Sequence, residues 1–548
     1  MLAHEALAAA LAAEGVEVVF GLIAGGVDRL ASAMHAKAGI RFVKVRHEEV
    51  AIGMADGYAR ATGKIGVALV GPGPGLTNAG AAMQATRMAK SRVLVVVGAP
   101  AIDADRHGPM LIDQPPLLKA TIGAIQDCRS TGTMSEDVAL AFRHIRLGRG
   151  PIALQFPATT ARGKMPDNWR YDAEGLSEVD PIFVPPRAKD VDDIVALIRA
   201  SKKPVILAGR GAFLAGARGE MIQLAERIGA LLTTSLLARD WFAGEPFNLG
   251  VSGGFSTQQA AEILNEVDLV LAFGATLNPA TLRHGSLYLD TKFVQIDIDP
   301  AALEDYTPKD KVAVADAKAM AQALIMAFAT EIERPDWRGP TMQKRIAAID
   351  RWSGLHTDEK PGKANSRRVV DICDRLLPKN RIMTTDIGLY LGVPAAHMTV
   401  QSPADVVFPW QLGRVGCGLP VALGAAVGRP DRVVTAFIGD GGMMASLNAL
   451  DTVAALKLPM AIIVMDDAGF GAERRNFQEF GDDPWTAEYD TPDLKAVAEA
   501  LGIKGYKATS SAEVERILKR HDFKEAMLLH VVIDFDSPPT EMEFSGWA

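Results

Sequence analysis

The stretch "GDGGMMASLNALDTVAALKLPMAIIVMDD", Gly439 to Asp467, is one strand-loop-helix-strand unit, and it decides the fold. It follows the apolar run "VVTAFI", passes through an alanine-rich helical segment and ends in a second apolar run. Buried apolar runs that alternate with helices are typical of parallel sheets covered by helices on both faces. The unit therefore predicts two adjacent parallel strands.

Acidic residues stand at both strand ends of this unit: Asp440 lies between glycines, and Asp466 and Asp467 follow the second apolar run. Because adjacent parallel strands end side by side, we expect Asp440 and Asp467 to approach within metal-bridging distance. Two carboxylates beside glycine-exposed backbone at a helix start suit Mg²⁺ that holds a diphosphate. The open alternative is that Asp440 caps a helix and the acidic pair forms a solvated turn.

The same alternation runs along the whole chain of 548 residues and predicts an α/β fold. We expect three doubly wound domains with mostly parallel sheets, at residues 1–165, 186–330 and 366–548. Irregular polar connections are expected at 163–189 and at about 331–367. The predicted strands are the apolar runs at 16–22, 41–45, 65–70, 92–98, 151–156, 204–209, 268–274, 292–300, 381–388, 432–441, 460–467 and 527–534.

Composition favours an enzyme with a small-molecule substrate. The formal net charge is -8 without a block of like charges, which argues against nucleic-acid and membrane-surface partners. No apolar run approaches the ~18 residues that span a bilayer. The cysteines, Cys128, Cys373 and Cys417, lack metal-ligand spacing and are expected to be buried thiols in a reducing compartment. The first residues, "MLAHEALAAALAAEG", predict a helix of a cytoplasmic protein rather than a signal peptide.

Three glycine-containing strand ends are candidate anion sites, because ligands bind beyond the carboxyl ends of parallel strands. They are "GPGPGLTN" (71–78), "GRG" (209–211) and "GDGG" (439–442). Each alone is a weak signal, since glycine at such a turn is more often required for steric reasons.

The combination of "GDG" and "LPMAIIVMDD" resembles the thiamin diphosphate motif of acetohydroxyacid synthase, benzoylformate decarboxylase, benzaldehyde lyase and oxalyl-CoA decarboxylase. The resemblance covers essentially the whole chain and implies pyrimidine-binding, central and diphosphate-binding domains. It implies thiamin diphosphate and Mg²⁺ as cofactors, with the metal held by Asp440, Asp467 and the backbone carbonyl of Gly469. The family often has asparagine where this chain has Asp467.

A second segment, "VRHEEVAIGMADGYARATGK" (45–64), resembles the part of the family that activates the cofactor, with Glu48 as its glutamate. Such a carboxyl would hydrogen-bond the aminopyrimidine ring and promote proton removal from the thiazolium. Read alone, Glu48 could simply be an acid at a helix start. Its occurrence together with the two glycine motifs, in the expected order, favours the catalytic role.

The resemblance also implies the remaining site residues. In "QLGRVGCGLP" (411–420), Val415 would be the apolar wedge under the cofactor rings, and the backbone of Gly413 would meet the pyrimidine. Gln114 of "IDQPP" would reach the active site from a loop, although an exposed loop glutamine is the alternative. Glu473 is the candidate for a further acid-base group, with a surface position as its alternative. The other predicted cofactor contacts are Pro72, Gly73, Thr77, Asn78, Leu389, Tyr390, Gly439, Gly441, Gly442 and Phe470.

Cleavage or formation of a C–C bond next to a carbonyl is the predicted chemistry, with a 2-oxo acid decarboxylase or carboligase as the first interpretation. A 2-hydroxyacyl-CoA or acyloin lyase, acting on an acyl-CoA or aldehyde, is the alternative, and a non-catalytic cofactor-binding homologue is the alternative of another class. Retention of Glu48 argues against the latter. Acetohydroxyacid synthases carry a tryptophan and a methionine shortly after the metal motif, and this chain has Ala472 and Asn476 at those positions. They also have a phenylalanine before the loop glutamine, where this chain has Asp113.

The central domain departs from the family in "ATLNPATLRHG" (275–285), so bound FAD is not predicted. ADP is likewise possible but not predicted, although Arg210, Arg283 and His284 could meet a phosphate. Because the family's cofactor lies between two subunits, the resemblance implies a homodimer at least, and a homotetramer is the usual form. Phe544 and Trp547 near the end of the chain could form a lid, with a disordered tail as the alternative.

Overall fold

A computed structural model describes residues 1–101, 108, 110–179, 182–303, 307–330, 332–352 and 358–537. The chain forms three parallel sheets, each covered by helices, which confirms the predicted α/β class. Among the described residues, no helix combines the length and apolar character needed to cross a membrane.

The first sheet has six strands: β1 (Val18–Gly21), β2 (Arg41–Lys44), β3 (Gly66–Val70), β4 (Val93–Ala99), β5 (Ala124–Asp127) and β6 (Ile152–Pro157). Their order is β2-β1-β3-β4-β6-β5, and every neighbouring pair is parallel. The helices around this sheet are α1 (Ala3–Ala13), α2 (Asp28–Ala36), α3 (Glu48–Thr62), α4 (Pro74–Asn78), α5 (Gly80–Met88), α6 (Gln114–Thr121), α7 (Met134–Arg146) and α8 (Ala158–Arg162).

The second sheet also has six strands: β7 (Pro204–Ala208), β8 (Leu231–Thr234), β9 (Asn248–Val251), β10 (Leu269–Phe273), β11 (Lys292–Asp297) and β12 (Lys311–Val314). Their order is β12-β11-β10-β7-β8-β9, again parallel throughout. The helices from the preceding connection to the following one are α9 (Ala173–Ser177), α10 (Ala188–Ala200), α11 (Arg210–Leu214), α12 (Arg218–Ile228), α13 (Gln258–Leu264), α14 (Ala317–Ala327) and α15 (Pro340–Ala347).

The third sheet has five strands: β13 (Ile382–Thr385), β14 (Val434–Gly439), β15 (Met460–Asp466), β16 (Lys504–Ala508) and β17 (Met527–Val532). Their order is β13-β14-β15-β17-β16, with all pairs parallel. Its helices are α16 (Ser366–Leu376), α17 (Gly392–His397), α18 (Gly418–Gly428), α19 (Asp440–Ala445), α20 (Ala449–Leu456), α21 (Gly471–Phe480), α22 (Leu494–Ala500) and α23 (Ser511–Arg520).

Each predicted apolar run contains a strand, and the strands that the sequence did not predict are β5, β8, β9, β12 and β16. All but β8 are partly exposed edge or near-edge strands, so they lack a continuous apolar run. The connections predicted to be irregular include the short helices α9 and α15. The three domain boundaries stay a prediction. All three cysteines are buried free thiols, which confirms their predicted burial.

Helices α3 and α18 join the first and third sheets through closely packed backbones. A β-carbon at Gly53 would lie 2.6 Å from the side chain of Pro420, and one at Gly57 would overlap the carbonyl oxygen of Val421. On α18, a β-carbon at Gly424 would overlap the carbonyl oxygen of Met54. Only residues without side chains allow this separation, so the two domains are in direct backbone contact here.

A buried arginine joins the second sheet to the third. Arg239 is fully buried and donates to backbone carbonyls at the end of α17, including those of Ala395 and Met398. The adjacent Asp240 accepts from the amide of Val400 at 3.1 Å and from Arg351 at 2.9 Å. A cationic side chain at a helix C-terminus is electrostatically favourable, so this contact fixes α17 against the central domain.

The α3–α18 contact predicts that Gly57→Ala destabilises the protein. The added methyl group overlaps backbone rather than a flexible side chain, so the helices must separate at a cost of about 1–3 kcal/mol. Urea unfolding followed by circular dichroism measures this cost.

Gly219→Ala in α12 is the matched control, because a β-carbon there meets no described atom within 4 Å. That substitution should stabilise the protein by up to about 1 kcal/mol through helix propensity. Equal stabilisation by both substitutions would contradict the close packing of α3 and α18.

Candidate active site

Three carboxylates form a buried group at one edge of the third sheet. Asp440 begins α19 directly after β14, and Asp466 ends β15, which pairs in parallel with β14. The exposed fractions of Asp440, Asp466 and Asp467 are 1%, 6% and 9%. These residues, called the acid cluster below, are therefore buried, and the alternative of a solvated turn is wrong.

Hydrogen bonds hold the acid cluster together. The Thr491 hydroxyl lies 3.0 Å from Oδ2 of Asp440 and 2.8 Å from Oδ1 of Asp466, and the Gly469 amide donates to Asp440 at 3.0 Å. On the far side, Nε2 of His530 lies 2.6 Å from Oδ2 of Asp466. A series of hydrogen-bonded polar groups thus runs from His530 on β17 through Asp466 and Thr491 to Asp440 in the first turn of α19.

Burial and mutual repulsion separate the proton affinities of these carboxyls. Burial and the neighbouring Asp466 raise the pKa of Asp440 to about 6. Burial, Asp440 and Asp466 raise the pKa of Asp467 to about 8. Burial acts in the same direction on Asp466, but hydrogen bonds with His530 and Thr491 outweigh it and lower the pKa of Asp466.

A divalent cation fits this donor set. Crowded carboxylates repel one another when ionised, and a hard cation removes that repulsion by binding their oxygens. Among the described residues, no group of three or more His, Cys, Asp or Glu side chains could hold a metal ion. The acid cluster therefore lacks three side-chain ligands in metal-binding geometry, and a cation here would need further oxygens from the backbone or from a bound ligand.

The glycine turn beside the acid cluster is packed so closely that side chains are excluded. A β-carbon at Gly441 would lie 2.7 Å from both the Phe470 ring and the Tyr489 hydroxyl, and one at Gly439 would lie 2.9 Å from the ring of Tyr390. The Tyr390 hydroxyl donates to the Phe437 carbonyl at 3.4 Å. The Tyr390 ring thus supports the turn from within the core.

At the first sheet, Glu48 begins α3 and is 6% exposed. Its Oε2 accepts a hydrogen bond from Asn78 at 3.2 Å. A β-carbon at Gly75 would lie 3.0 Å from Oε1 of Glu48. Because Gly75 has no side chain, it does not cover this oxygen. Asn78 thereby orients the carboxyl, and Gly75 leaves one of its oxygens approachable.

Gln114 lies below the turn that contains Pro72 and Gly73. It is 2% exposed, and its Oε1 accepts from the Gly73 amide at 3.0 Å. Its Nε2 donates to the Gly98 carbonyl and to Gln155, both at 3.1 Å. The alternative of an exposed loop glutamine is wrong, and these contacts support the turn rather than reach out of it.

The predicted site residues fall into three classes of exposure. Glu48, Pro72, Gly73, Gln114, Leu389, Tyr390, Gly439, Asp440, Gly442, Asp467 and Gly469 are buried; Gly413, Val415 and Gly441 are half-buried; Thr77, Asn78, Phe470 and Glu473 are exposed. The Thr77 hydroxyl donates to the carbonyl of Pro74 at 2.8 Å. Their roles towards a cofactor stay predictions.

Three sequence-family models of the thiamine pyrophosphate enzymes match consecutive parts of the chain. The N-terminal TPP binding domain matches residues 1–117, the central domain 191–324 and the C-terminal TPP binding domain 386–531. This chain belongs to the thiamine pyrophosphate enzyme family. Thiamine pyrophosphate is another name for thiamin diphosphate. The match therefore confirms the family resemblance found in the sequence.

Several relatives match this thiamine pyrophosphate enzyme over nearly its full length. The probable acetolactate synthase large subunit of Methanococcus aeolicus is 28% identical over 97% of this chain and 92% of its own. The acetolactate synthase large subunit of Haemophilus influenzae is 28% identical over 95% and 92%. The sulfoacetaldehyde acetyltransferase of Alcaligenes xylosoxydans xylosoxydans is 28% identical over 92% and 88%.

Helix α21 of this thiamine pyrophosphate enzyme is mainly surface. Glu473 is exposed, in keeping with the surface alternative. Arg474 pairs with Glu488 at 2.8 Å and lies 4.2 Å from the ring centre of Phe535. Phe544 and Trp547, the residues of the predicted lid, lie outside the described residues.

The sequence reasoning missed Thr491, His530 and Asp386. Thr491 and His530 contact the acid cluster from segments that no motif selects. The one available signal for His530 is its position inside a strand of otherwise apolar residues, "MLLHVV". A polar residue there requires a buried partner, which proves to be Asp466.

The raised pKa of Asp467 gives a testable pH dependence for metal-free protein. Between the unfolded pKa of about 3.9 and the folded value of about 8, the folded state binds an extra proton, so stability falls as pH rises. Asp467→Asn removes this penalty. The variant should match wild type near pH 4 and exceed it by about 2 kcal/mol or more near pH 8, because one pKa unit corresponds to about 1.4 kcal/mol.

Urea unfolding in excess chelator at these two pH values is the measurement. Asp466→Asn is the matched control, since the pKa of Asp466 is lowered and its removal should reduce stability near pH 8. A shift of the same sign in both variants would contradict the assignment of charge within the acid cluster.

Proposed function

We propose that this chain is a thiamin diphosphate- and Mg²⁺-dependent 2-oxo acid decarboxylase or carboligase of the acetolactate synthase type. The observation that carries the proposal is the buried acid cluster beside a side-chain-free glycine turn, in a chain that also retains a buried glutamate at the start of α3. Binding alone would explain the acid cluster. It would not explain a retained Glu48, which supports a catalytic rather than a scaffold role.

The residues present suit each part of the cofactor. Asp440, Asp467 and the carbonyl of Gly469 would hold Mg²⁺, and the turn at 439–442 would receive the diphosphate. Val415 would be the apolar wedge beneath the two rings, and the backbone of Gly413 would meet the pyrimidine. Burial and mutual repulsion raise the pKa values of Asp440 and Asp467, and this supports the arrangement because a bound cation would stabilise the ionised carboxylates against both effects.

Thiamin diphosphate, when bound, supplies a carbanion that adds to a carbonyl and a ring that accepts the electron pair from the broken C–C bond. The protein contributes orientation and proton transfer. Glu48 would hold and release a proton at its carboxyl for the aminopyrimidine, and Asn78 fixes Oε2 of that carboxyl. Gln114 would act through the turn at Gly73, whose amide it binds.

Assembly and location follow from the same reasoning. Glu48 and the acid cluster belong to different sheets of the chain. Because the family's cofactor lies between two subunits, we expect a homodimer at least, with a homotetramer as the full assembly. The partner is a small molecule, with no nucleic acid and no membrane, and the compartment is the cytoplasm. The names of the acetolactate synthase relatives support the 2-oxo acid.

A substrate panel tests the proposed function. Purified protein with Mg²⁺ and thiamin diphosphate is incubated with 2-oxo acids, 2-hydroxyacyl-CoA thioesters, acyloins and sulfoacetaldehyde, while CO₂ and new carbonyl products are measured. We expect CO₂ release from a 2-oxo acid. Turnover of only thioesters or acyloins would contradict the choice of substrate.

Glu48→Gln should reduce that turnover by at least about 100-fold, because general acid-base groups contribute about 10²–10⁴. Its control is Glu17→Gln, on the surface of the same domain, where Glu17 pairs with Lys64 at 2.6 Å. That control should keep full turnover. Full turnover by Glu48→Gln would refute the role assigned to this glutamate.

Thr491→Val tests the metal assignment. Loss of the hydroxyl that contacts Asp440 and Asp466 should weaken Mg²⁺ binding by about 10–100-fold, as is typical for groups that orient metal ligands. The measurement is the Mg²⁺ concentration that half-saturates thiamin diphosphate binding, followed by fluorescence.

Thr435→Val on β14 is the matched control. The Thr435 hydroxyl is buried and has no hydrogen-bond partner among the described residues, so its loss should leave Mg²⁺ binding unchanged. If both variants needed the same Mg²⁺ concentration for half-saturation, the metal would not bind at the acid cluster.

A further inference from the structure

We propose that Asp386 is a positioning residue that fixes the loop at 413–417, called the wedge loop below, against the glycine turn of the acid cluster. Asp386 directly follows β13 and is fully buried. It is not among the predicted cofactor or metal contacts. The inference rests on the proposed role of Val415 in the wedge loop as a cofactor contact.

The Asp386 carboxylate accepts four hydrogen bonds, three of them from the wedge loop. Its Oδ2 accepts from the amide of Gly416 at 2.8 Å. Its Oδ1 accepts from the amide and the thiol of Cys417, both at 3.2 Å. The fourth bond comes from the amide of Ile387 at 2.8 Å, within its own turn. One side chain therefore satisfies two consecutive buried amides of the wedge loop.

Close packing around Asp386 brings two further segments to the same point. A β-carbon at Gly418, the first residue of α18, would lie 2.8 Å from the β-carbon of Asp386. A β-carbon at Gly442, in the glycine turn, would overlap Oδ2 of Asp386. Asp386 thus lies between the end of the wedge loop and the glycine turn, in contact range of both.

The charge environment agrees with this placement. Burial raises the pKa of Asp386, while its hydrogen bonds and the nearby Arg414 oppose that rise. Burial and Asp386 raise the pKa of Cys417 well above its usual range, so the thiol keeps its proton and donates it. Cys417 is therefore a hydrogen-bond donor to Asp386 and not a nucleophile.

The wedge loop needs this support because of its own conformation. Gly413 and Gly416 both have positive φ, at 69° and 84°. Glycine reaches such angles readily but is also free to leave them, since it has the largest conformational freedom of any residue. Anchoring the amides of Gly416 and Cys417 selects one arrangement, and Val415 then projects from a fixed position.

Asp386→Asn tests the inference with a nearly isosteric change. The amide group presents N–H donors towards backbone N–H donors, so at least one buried amide of the wedge loop loses its acceptor. In cofactor-free protein, hydrogen exchange of residues 411–418 should accelerate by about tenfold or more. The Kd for thiamin diphosphate at saturating Mg²⁺ should rise by about tenfold or more.

Asp374→Asn is the matched control, because Asp374 is a buried carboxylate of the same domain that binds Arg381 and Thr399. It should lower overall stability yet leave both the local exchange and the Kd unchanged. Equal effects of the two variants on exchange and Kd would overturn the inference. An increased Kd without faster exchange at 411–418 would also overturn it, because Asp386 would then act by charge alone.

Cys417→Ala keeps the test decisive if Asp386→Asn does not fold. It removes one of the three bonds to the wedge loop, and we expect a smaller acceleration of exchange at 411–418, with no change elsewhere in the domain. Unchanged exchange would overturn the inference. The exchange measurement uses cofactor-free protein, so failure of wild type to bind thiamin diphosphate would refute the proposed function while leaving this result interpretable.

Discussion

The backbone contact between α3 and α18 is the constraint on which the site depends. Each helix begins at a part of the site: α3 starts at Glu48, and α18 starts directly after the wedge loop. At Gly57 and Gly424 the facing atoms are backbone, so no flexible side chain lies between the helices there to absorb a shift. Proteins pack their interiors at near-crystalline density, so two helices in backbone contact move as one body. Each subunit therefore holds its Glu48 and its wedge loop in a fixed relation, whichever subunit completes the site.

The acid cluster shows the opposite tendency, a local arrangement that disfavours folding. Three carboxylates share one buried region, and two of them have raised pKa values because ionisation there is unfavourable. Thr491 and His530 reduce that cost at Asp466, but no hydrogen bond among the described residues joins either of them to Asp467. Groups with strongly shifted pKa values concentrate at functional sites, where stability is exchanged for chemistry. The packed helices α3 and α18 thus stabilise the fold, while the acid cluster destabilises it locally.

Much of the fold and part of the site could be predicted because their signals are local. A buried parallel strand is a continuous apolar run, and the residues at its carboxyl end must lie at the ligand edge, which places Asp440 and Asp467 together. The edge strands β5, β12 and β16 escaped prediction because exposure interrupts their apolar pattern.

Contacts between distant segments could not be predicted in this way. The partner of Asp466 is His530, and the amides that Asp386 binds come from 416 and 417. The sequence marks His530 only as a polar residue in an apolar strand, which indicates a buried partner but not which residue it is. The pairing of Asp386 leaves no pattern in either segment alone. Gln114 is instructive in the same sense: a loop glutamine next to prolines resembles surface, yet tertiary packing buries it against Gly73.

The exposure of α21 has a consequence for how such enzymes diversify. Gly471 is the one buried residue of this helix, so its outward positions can be replaced at little expense in folding free energy. The glycine turn and the α3–α18 contact tolerate no such replacement. Substitutions at the outward positions of α21 can therefore accumulate without disturbing the packing that holds the glycine turn and the α3–α18 contact.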